Sequence, residues 1–438
     1  MIILTLFPLM GTGQTPDTLR VNLKTALEAA LSDNPTIHIA EQEIQRIDYS
    51  KKEAWYGLIP TLSATGQISK YALPAKMSMM GNIMDSPTDF MASANMSLSL
   101  PLIVPALWQA IQMTELQMQM AHEQARASRI NLRSEVTKAY YQILLAQDSY
   151  HTLKEGFALA KQNWEEAKQR FELGLAAEYD CIFAEVQMQN LSPTLMQVEN
   201  GITLSKSMLK VLMGLALSTP IKVSERPTDF ENEVTGNLYN RDISLTNNSD
   251  LAQLDIQLKQ LHRQLQLQRA QRLPMLAGFG QYGYSGTGTK KTQINFGGMP
   301  IQINAEKKWY TNGLIFGLQL NVPIFSGFTN TLKEKKIAIS ARTLAMQRDY
   351  ITDNLDLQAE AIENNMTRSI AQMESAKKGI QLAEKGYAIS QERYNHGMST
   401  MLELRSASQS LTQAKLAYNQ AIADYLSAKA DYEKITGQ

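Results

Sequence analysis

The chain has 438 residues, and 42 Lys and Arg balance 42 Asp and Glu, so no basic footprint for nucleic acid is present. A single cysteine, Cys181, excludes disulfides within the chain and thiolate metal clusters; the 5 histidines show no metal-ligand spacing such as H-E-x-x-H. The length is enough for two or three ordinary domains, and neither a metal nor a cofactor is expected.

Residues 1–13, MIILTLFPLMGTG, form a short apolar run that ends in small residues. This reads as a secretory leader without its usual positive charge, or alternatively as a buried first strand. Elsewhere no apolar run is long enough for a membrane-spanning helix, yet a chain without one can still cross a membrane as a β-barrel. Residues 14–59 contain a Gln- and charge-rich helix from about Leu23 to before Pro60, with a narrow apolar stripe. Residues 60–102 read as a strand pair joined by a long loop holding Met77, Met79, Met80, Met84 and Met91. In its second strand Ala92, Ala94, Met96, Leu98, Leu100 and Leu102 alternate with Ser93, Asn95, Ser97 and Ser99. That period of two suits a barrel strand with lipid on one side; a soluble sheet packed on one face shows the same pattern.

Residues 103–213 form a long helical hairpin. Val136, Ile143, Tyr150, Phe157, Trp164 and Phe171 recur at heptad steps, and Ala139, Ala146, Leu153, Ala160, Ala167 and Gly174 follow each three positions on. Large and small residues alternating in an a/d seam predict closely packed antiparallel coiled coils. A helix of about 65 residues would reach roughly 100 Å. Pro193, inside the returning helix, should kink or break it. Residues 214–244, with Gly214, Pro220, Pro227 and Gly236, read as a connector with little regular structure.

The plan then repeats: a helix in 245–273, a strand pair with a Gly/Lys-rich loop in 274–325, and a second long hairpin in 326–438. LIPTL (58–62) returns as RLPML (272–276), Pro101 as Pro323, and VLMG (211–214) as KITG (434–437). The turn QRFELGLAAEYD (169–180) returns as ERYNHGMSTMLE (392–403), so Arg170, Phe171 and Gly174 match Arg393, Tyr394 and Gly397. One unit of roughly 200 residues has been duplicated, unlike the short repeats of a solenoid. The fold class is therefore mainly α with membrane β: duplicated coiled-coil hairpins plus four strands per chain. Four strands cannot close a barrel, because small membrane barrels need at least about eight, so a membrane reading forces oligomerisation.

In its duplicated unit, Pro-flanked strands, alternating heptads and paired turns R-F-x-x-G-L and R-Y-x-x-G-M, the chain resembles the TolC family of outer-membrane efflux ducts over about Val21 to Gly437. The resemblance implies a homotrimer whose twelve strands form one barrel in outer-membrane lipid and whose helices form a periplasmic α-barrel. The partners it implies are a periplasmic adaptor and an inner-membrane pump that supplies the work. It places an adaptor-docking tip at Arg170, Leu173, Gly174, Leu175, Arg393, Gly397 and Met398. It places a periplasmic gate at Asp180, Tyr394, Ser399, Glu403, Arg405 and Ser406. Ser399 stands where the family's best-known closed gates carry an arginine, and Ser406 where they carry a second acid, so a looser gate is expected, with Arg405 a candidate replacement and Glu403 a single acidic ring. A periplasmic coiled-coil adaptor or scaffold without a barrel is the alternative. An enzyme is not: GYSGTGTKKT (283–292) lacks the spacing of a phosphate loop, and no catalytic constellation is apparent.

Overall fold

The computed structural model describes residues 18–73, 75–79, 82–236, 244–296 and 299–438; the leader expected at 1–13 and Met80 lie outside them. In chain order the elements are β1 (Leu19–Val21), α1 (Leu23–Asp33), α2 (Pro35–Tyr56), β2 (Thr61–Lys70), β3 (Lys76–Met79), β4 (Asn82–Asp85), β5 (Thr88–Ile103), α3 (Pro105–Glu172), α4 (Glu178–Leu212), β6 (Ile221–Val223), a 3-10 turn (Pro227–Phe230) and α5 (Glu231–Gly236). The second half contributes α6 (Ser249–Ala270), β7 (Met275–Thr289), β8 (Thr292–Phe296), β9 (Met299–Ile303), β10 (Lys307–Asn321), α7 (Thr329–Asn395) and α8 (Met401–Thr436). The described residues fall into two compact units, one drawn from Met1–Glu43, His122–Leu254 and Gln347–Gln438, the other from Ile44–Ala121 and Asp255–Met346.

The second of these units holds an antiparallel four-stranded sheet in the order β10-β7-β5-β2. Its register sets Leu62 opposite Leu98, Met96 opposite Tyr282, and Tyr282 opposite Leu314. Because side chains alternate across a strand, this aligns Leu62, Ile68, Met96, Leu98, Leu314, Phe316, Leu318 and Leu320 on one face, all exposed in the single chain. The opposite face carries Ser63 and Ser97, whose hydroxyls meet at 2.7 Å, beside Asn95 and Gln281. β2 and β10 are edge strands with open backbone groups. The loops hold two further hairpins, β3–β4 and β8–β9. In the same unit Trp55 meets Trp108 edge-on at 5.9 Å and Lys51 pairs with Glu115 at 2.5 Å, tying α2 to α3. The second copy uses different chemistry at the corresponding place, an Arg272–Glu334 pair at 2.6 Å.

The first unit is mainly helical. α3 and α7 run unbroken for 68 and 67 residues. The heptad seam is its core: Val136 and Ile143 of α3, Met366 and Met373 of α7, and Leu404, Leu411, Tyr418 and Tyr425 of α8 are all buried. Each hairpin helix ends in a left-handed glycine closed by a 6→1 and a 5→2 bond. These are Leu175 N to Arg170 O and Gly174 N to Phe171 O, repeated at Gly214, Gly397 and Gly437.

Three sequence expectations change. The first helix is two, because Asn34 ends α1 and its side chain accepts from Thr36 N at 2.8 Å while Pro35 opens α2. α4 continues through Pro193, which lies on an exposed side with Gln189, where solvent can meet the carbonyl that a proline leaves without its helical donor. The connector is more ordered than its Pro/Gly content suggested. β6 pairs in parallel with β1, burying Ile221 and Val223 around exposed Lys222. Three residues are too few for their alternation to be read from sequence. The connector's acids grip the helices: Glu231 takes Lys377 at 2.5 Å and the Tyr418 hydroxyl at 2.7 Å, Glu233 takes Lys429 at 2.7 Å, and Tyr140 donates to Glu225.

Candidate functional site: the paired hairpin tips

Both hairpins turn over in five residues, 173–177 and 396–400, between α3 and α4 and between α7 and α8. Gly174 and Gly397 take φ of 71° and 70° with open space around their α-carbons, so the left-handed backbone alone demands glycine. Each returning helix places carboxylates in its first turn, Glu178 and Asp180 on α4 and Glu403 on α8, where the helix dipole favours them. Thr400 caps α8, its Oγ1 accepting from Glu403 N at 3.3 Å. Leu173, Leu175 and Met398 project from the turns and are exposed.

Arg170 joins the tips. Its guanidinium donates to Tyr394 O and Asn395 O, each at 2.9 Å, and lies over the Tyr394 ring at 4.6 Å. It thereby adds a second bond to Tyr394 O, which already accepts from Gly397 N, caps Asn395 O, and sets a positive charge where that helix is negative. Arg393, its counterpart, donates to Met398 O of its own turn at 3.1 Å.

The expected gate residues are partly gathered. Burial pushes the Tyr394 hydroxyl above its usual pKa, with Arg170 opposing and Asp180 and Glu166 adding to the rise. Asp180 thus acts on Tyr394 through its charge, and among the described residues no hydrogen bond joins them. Ser399 Oγ donates to Glu403 Oε2 at 2.6 Å, so these two form a local pair. Arg405 turns from Glu403 to lie over the Phe183 ring of α4 at 5.1 Å, with its Nε buried and unbonded. Ser406 contributes its carbonyl to Ser410 Oγ at 2.8 Å.

Behind the tips, a groove of about 820 Å³ lies between α3, α4 and α8, lined in part by Asn163, Phe183, Gln187 and Arg405. Gly156 brings α3 close to α8 there, since a methyl group on it would come within 3.2 Å of Thr412 Oγ1. Asn34 and Asn248 escaped the sequence reading. Asn34 Nδ2 donates to Leu212 O at 2.7 Å and Asn248 Nδ2 to Ile435 O at 2.9 Å, each fastening the end of a returning helix. The signal was present, because DNPT (33–36) and NNSD (247–250) occupy equivalent places in the two halves.

Among the described residues no cluster of His, Cys, Asp or Glu is placed to hold a metal ion, and no helix is long and apolar enough to cross a membrane. A four-stranded sheet with one apolar and one mainly polar face, together with twin coiled-coil hairpins, has the parts expected of an outer-membrane channel chain. The family model described as "Outer membrane efflux protein" matches residues 26–215 and 241–438, and the chain belongs to that family. It is similar to the outer membrane protein TolC of Vibrio cholerae, 24% identical over 345 residues covering 76% of this chain and 74% of that one. It is also 24% identical over 409 residues to the probable efflux pump outer membrane protein TtgC of Pseudomonas putida, covering 90% and 78%. In fold it matches the CmeC outer membrane channel of Campylobacter jejuni with a TM-score of 0.74 at 17% identity, over 95% and 85% of the two chains. The protein is an outer-membrane exit duct for efflux or secretion; its family's role is transport, it works with the machinery that feeds such ducts, and the adaptor reading is not favoured.

Proposed function

We propose that three copies close their sheets, β2 of one chain beside β10 of the next, into a twelve-stranded barrel whose apolar face meets outer-membrane lipid. The observation that carries this reading is the pair of open edges flanking a sheet whose large apolar side chains lie exposed on one face. Unsatisfied backbone groups cannot face lipid, so the edges need partners, and four strands are too few to close alone. Resemblance to the TolC family supplies the number three. The hairpins of three chains then line a periplasmic α-barrel that conducts substrate passively, while an inner-membrane pump supplies the work.

At the tip, Leu173, Leu175 and Met398 form the surface that meets a periplasmic adaptor, shaped by Gly174 and Gly397 and steadied by Arg170 and Arg393. Asp180, Tyr394, Ser399, Glu403, Arg405 and Ser406 surround the constriction. Three Glu403 side chains make a cation-favouring ring, and with serine at 399 and 406 the latch is loose. Electron microscopy of the detergent-purified protein tests the assembly: end views should show a hollow threefold particle, and a solid or single-chain particle would refute it. In planar bilayers Glu403→Gln should reduce the preference for cations; unchanged selectivity would remove the ring.

A further inference from the structure

The two tips are copies, yet one has a partner in its own chain and the other does not. Arg170 of the first tip clamps the end of α7 through the Tyr394 ring and two carbonyls. The repeat maps those targets onto Phe171 and Glu172 at the end of α3, and maps Arg170 onto Arg393. Both ends have the same backbone geometry: Phe171 O and Tyr394 O each accept one bond from their turn glycine, which leaves a lone pair available. Tyr394, a member of the buried cluster with Ala167, Met401 and Leu404 and with Arg170 over its ring, is 6% exposed, whereas Phe171 is 42% exposed. Glu172 stands where the second copy has the neutral Asn395, and among the described residues it has no ion pair. A carboxylate at a helix C-terminus is unfavourable until a cation arrives. Arg393 meanwhile uses a single hydrogen bond, to Met398 O, from a guanidinium with five donors.

We propose that Arg393 is an inter-subunit clamp: it lies over Phe171 of an adjoining copy and donates to the last carbonyls of that copy's α3, with the carboxylate of that copy's Glu172 as an added charge partner. The inference rests on the threefold reading above. A ring of alternating first and second hairpins places a first tip beyond every second tip, so the rotation that carries Arg170 onto Arg393 carries Tyr394 of the same chain onto Phe171 of the next. Each chain thus completes one clamp internally and leaves half of another at each side, and six clamps close the ring only when three chains meet.

Cross-linking tests this on the full-length protein in detergent, in a Cys181→Ser background. Glu172→Cys combined with Arg393→Cys, treated with a short bismaleimide, should yield bands of two and three chains on a denaturing gel. Arg170→Cys combined with Asn395→Cys should react equally but stay at the single-chain mass. Native mass measured on the same samples separates the two ideas. A native trimer whose Glu172→Cys/Arg393→Cys pair stays at single-chain mass, whether unreacted or linked within one chain, overturns the clamp and leaves the assembly standing. A native single chain overturns the threefold reading and the clamp with it.

Discussion

Helices α4 and α8 are copies of one segment, and they live in different surroundings. α8 buries Leu404, Leu411, Tyr418, Ala421, Ile422, Tyr425 and Leu426, so nearly every turn has a side chain in the core. α4 buries Ala184, Met188 and Leu209. Its Ile182, Val186, Leu204, Met208 and Val211 are exposed and fall along one stripe at helical spacing. The lesson is that duplication copied a helix but not its neighbours. A second-copy helix is finished inside one chain, while the first-copy helix keeps an apolar stripe of the kind that needs another surface.

That comparison breaks most visibly in the core. Leu404 is fully buried, and its repeat counterpart on α4 is the half-buried Cys181. Leu404→Ala should destabilise by roughly 2–5 kcal/mol through lost contacts and a residual cavity. Cys181→Ala should cost under about 1 kcal/mol, as expected of a small change near the surface. Thermal unfolding in detergent reads both, and equal shifts would mean that the copies are equivalent after all.

The glycine turns give the next effect. Gly174 and Gly214 have similar left-handed φ, and each alanine substitution should cost roughly 1–2 kcal/mol on that ground. A methyl group at Gly214 would also fall 2.5 Å from the Asp33 carbonyl oxygen, while at Gly174 it would meet open space. Gly214→Ala should therefore lower the unfolding temperature clearly more than Gly174→Ala. A reversed order would show that the tip turn is less free than its geometry indicates.

The elements were legible where the pattern was long. The alternation of β5, the heptads of α3 and the return of the whole plan in the second half each run over enough residues to outweigh local exceptions. What stayed hidden was short or relational. β1 and β6 have three residues apiece. The break at Asn34 was written in its Asn-Pro pair but masked by helical sequence on both sides. Among the site residues, the turn glycines and first-turn acids could be read, because backbone conformation and the helix dipole dictate them locally. The choice of Arg405 for Phe183, and of Arg170 for the end of α7, depends on which helix lies alongside, and periodicity does not reveal that.

Arg170 offers a smaller test confined to the tip. Arg170→Ala removes two charge-assisted bonds and a cation–π contact, together worth about 1–3 kcal/mol locally. Hydrogen exchange should quicken at the last turn of α7 and leave the seam around Met366 unchanged. Unaltered exchange at Tyr394 and Asn395 would mean that the clamp is ornamental.

The gentlest effect is that of pH on the connector. The Lys377 ammonium and Tyr418 hydroxyl beside Glu231 hold its carboxyl below the usual value of 4.5. A depressed carboxylate stabilises the fold above that value, and the contribution fades as pH falls from there through the lower folded pKa. Tyr140 and Tyr418 move the other way: burial first, then Glu225 and Glu231 respectively, push both hydroxyls above 10.0. Their contribution is complete below pH 10 and fades as the unfolded chain's tyrosines ionise. Thermal stability in detergent should accordingly be flat near neutrality and fall on both sides. Glu231→Gln should flatten the acid side, because the substituted amide has no proton to gain. It should also ease the alkaline side, because a neutral amide no longer repels a tyrosinate at 418. The effect is small, since Glu231 is in contact with solvent. An acid limb identical to the parent's would show that the connector is held by β6 and its apolar side chains rather than by its acids. The gripping of α8 would then belong to the seam alone.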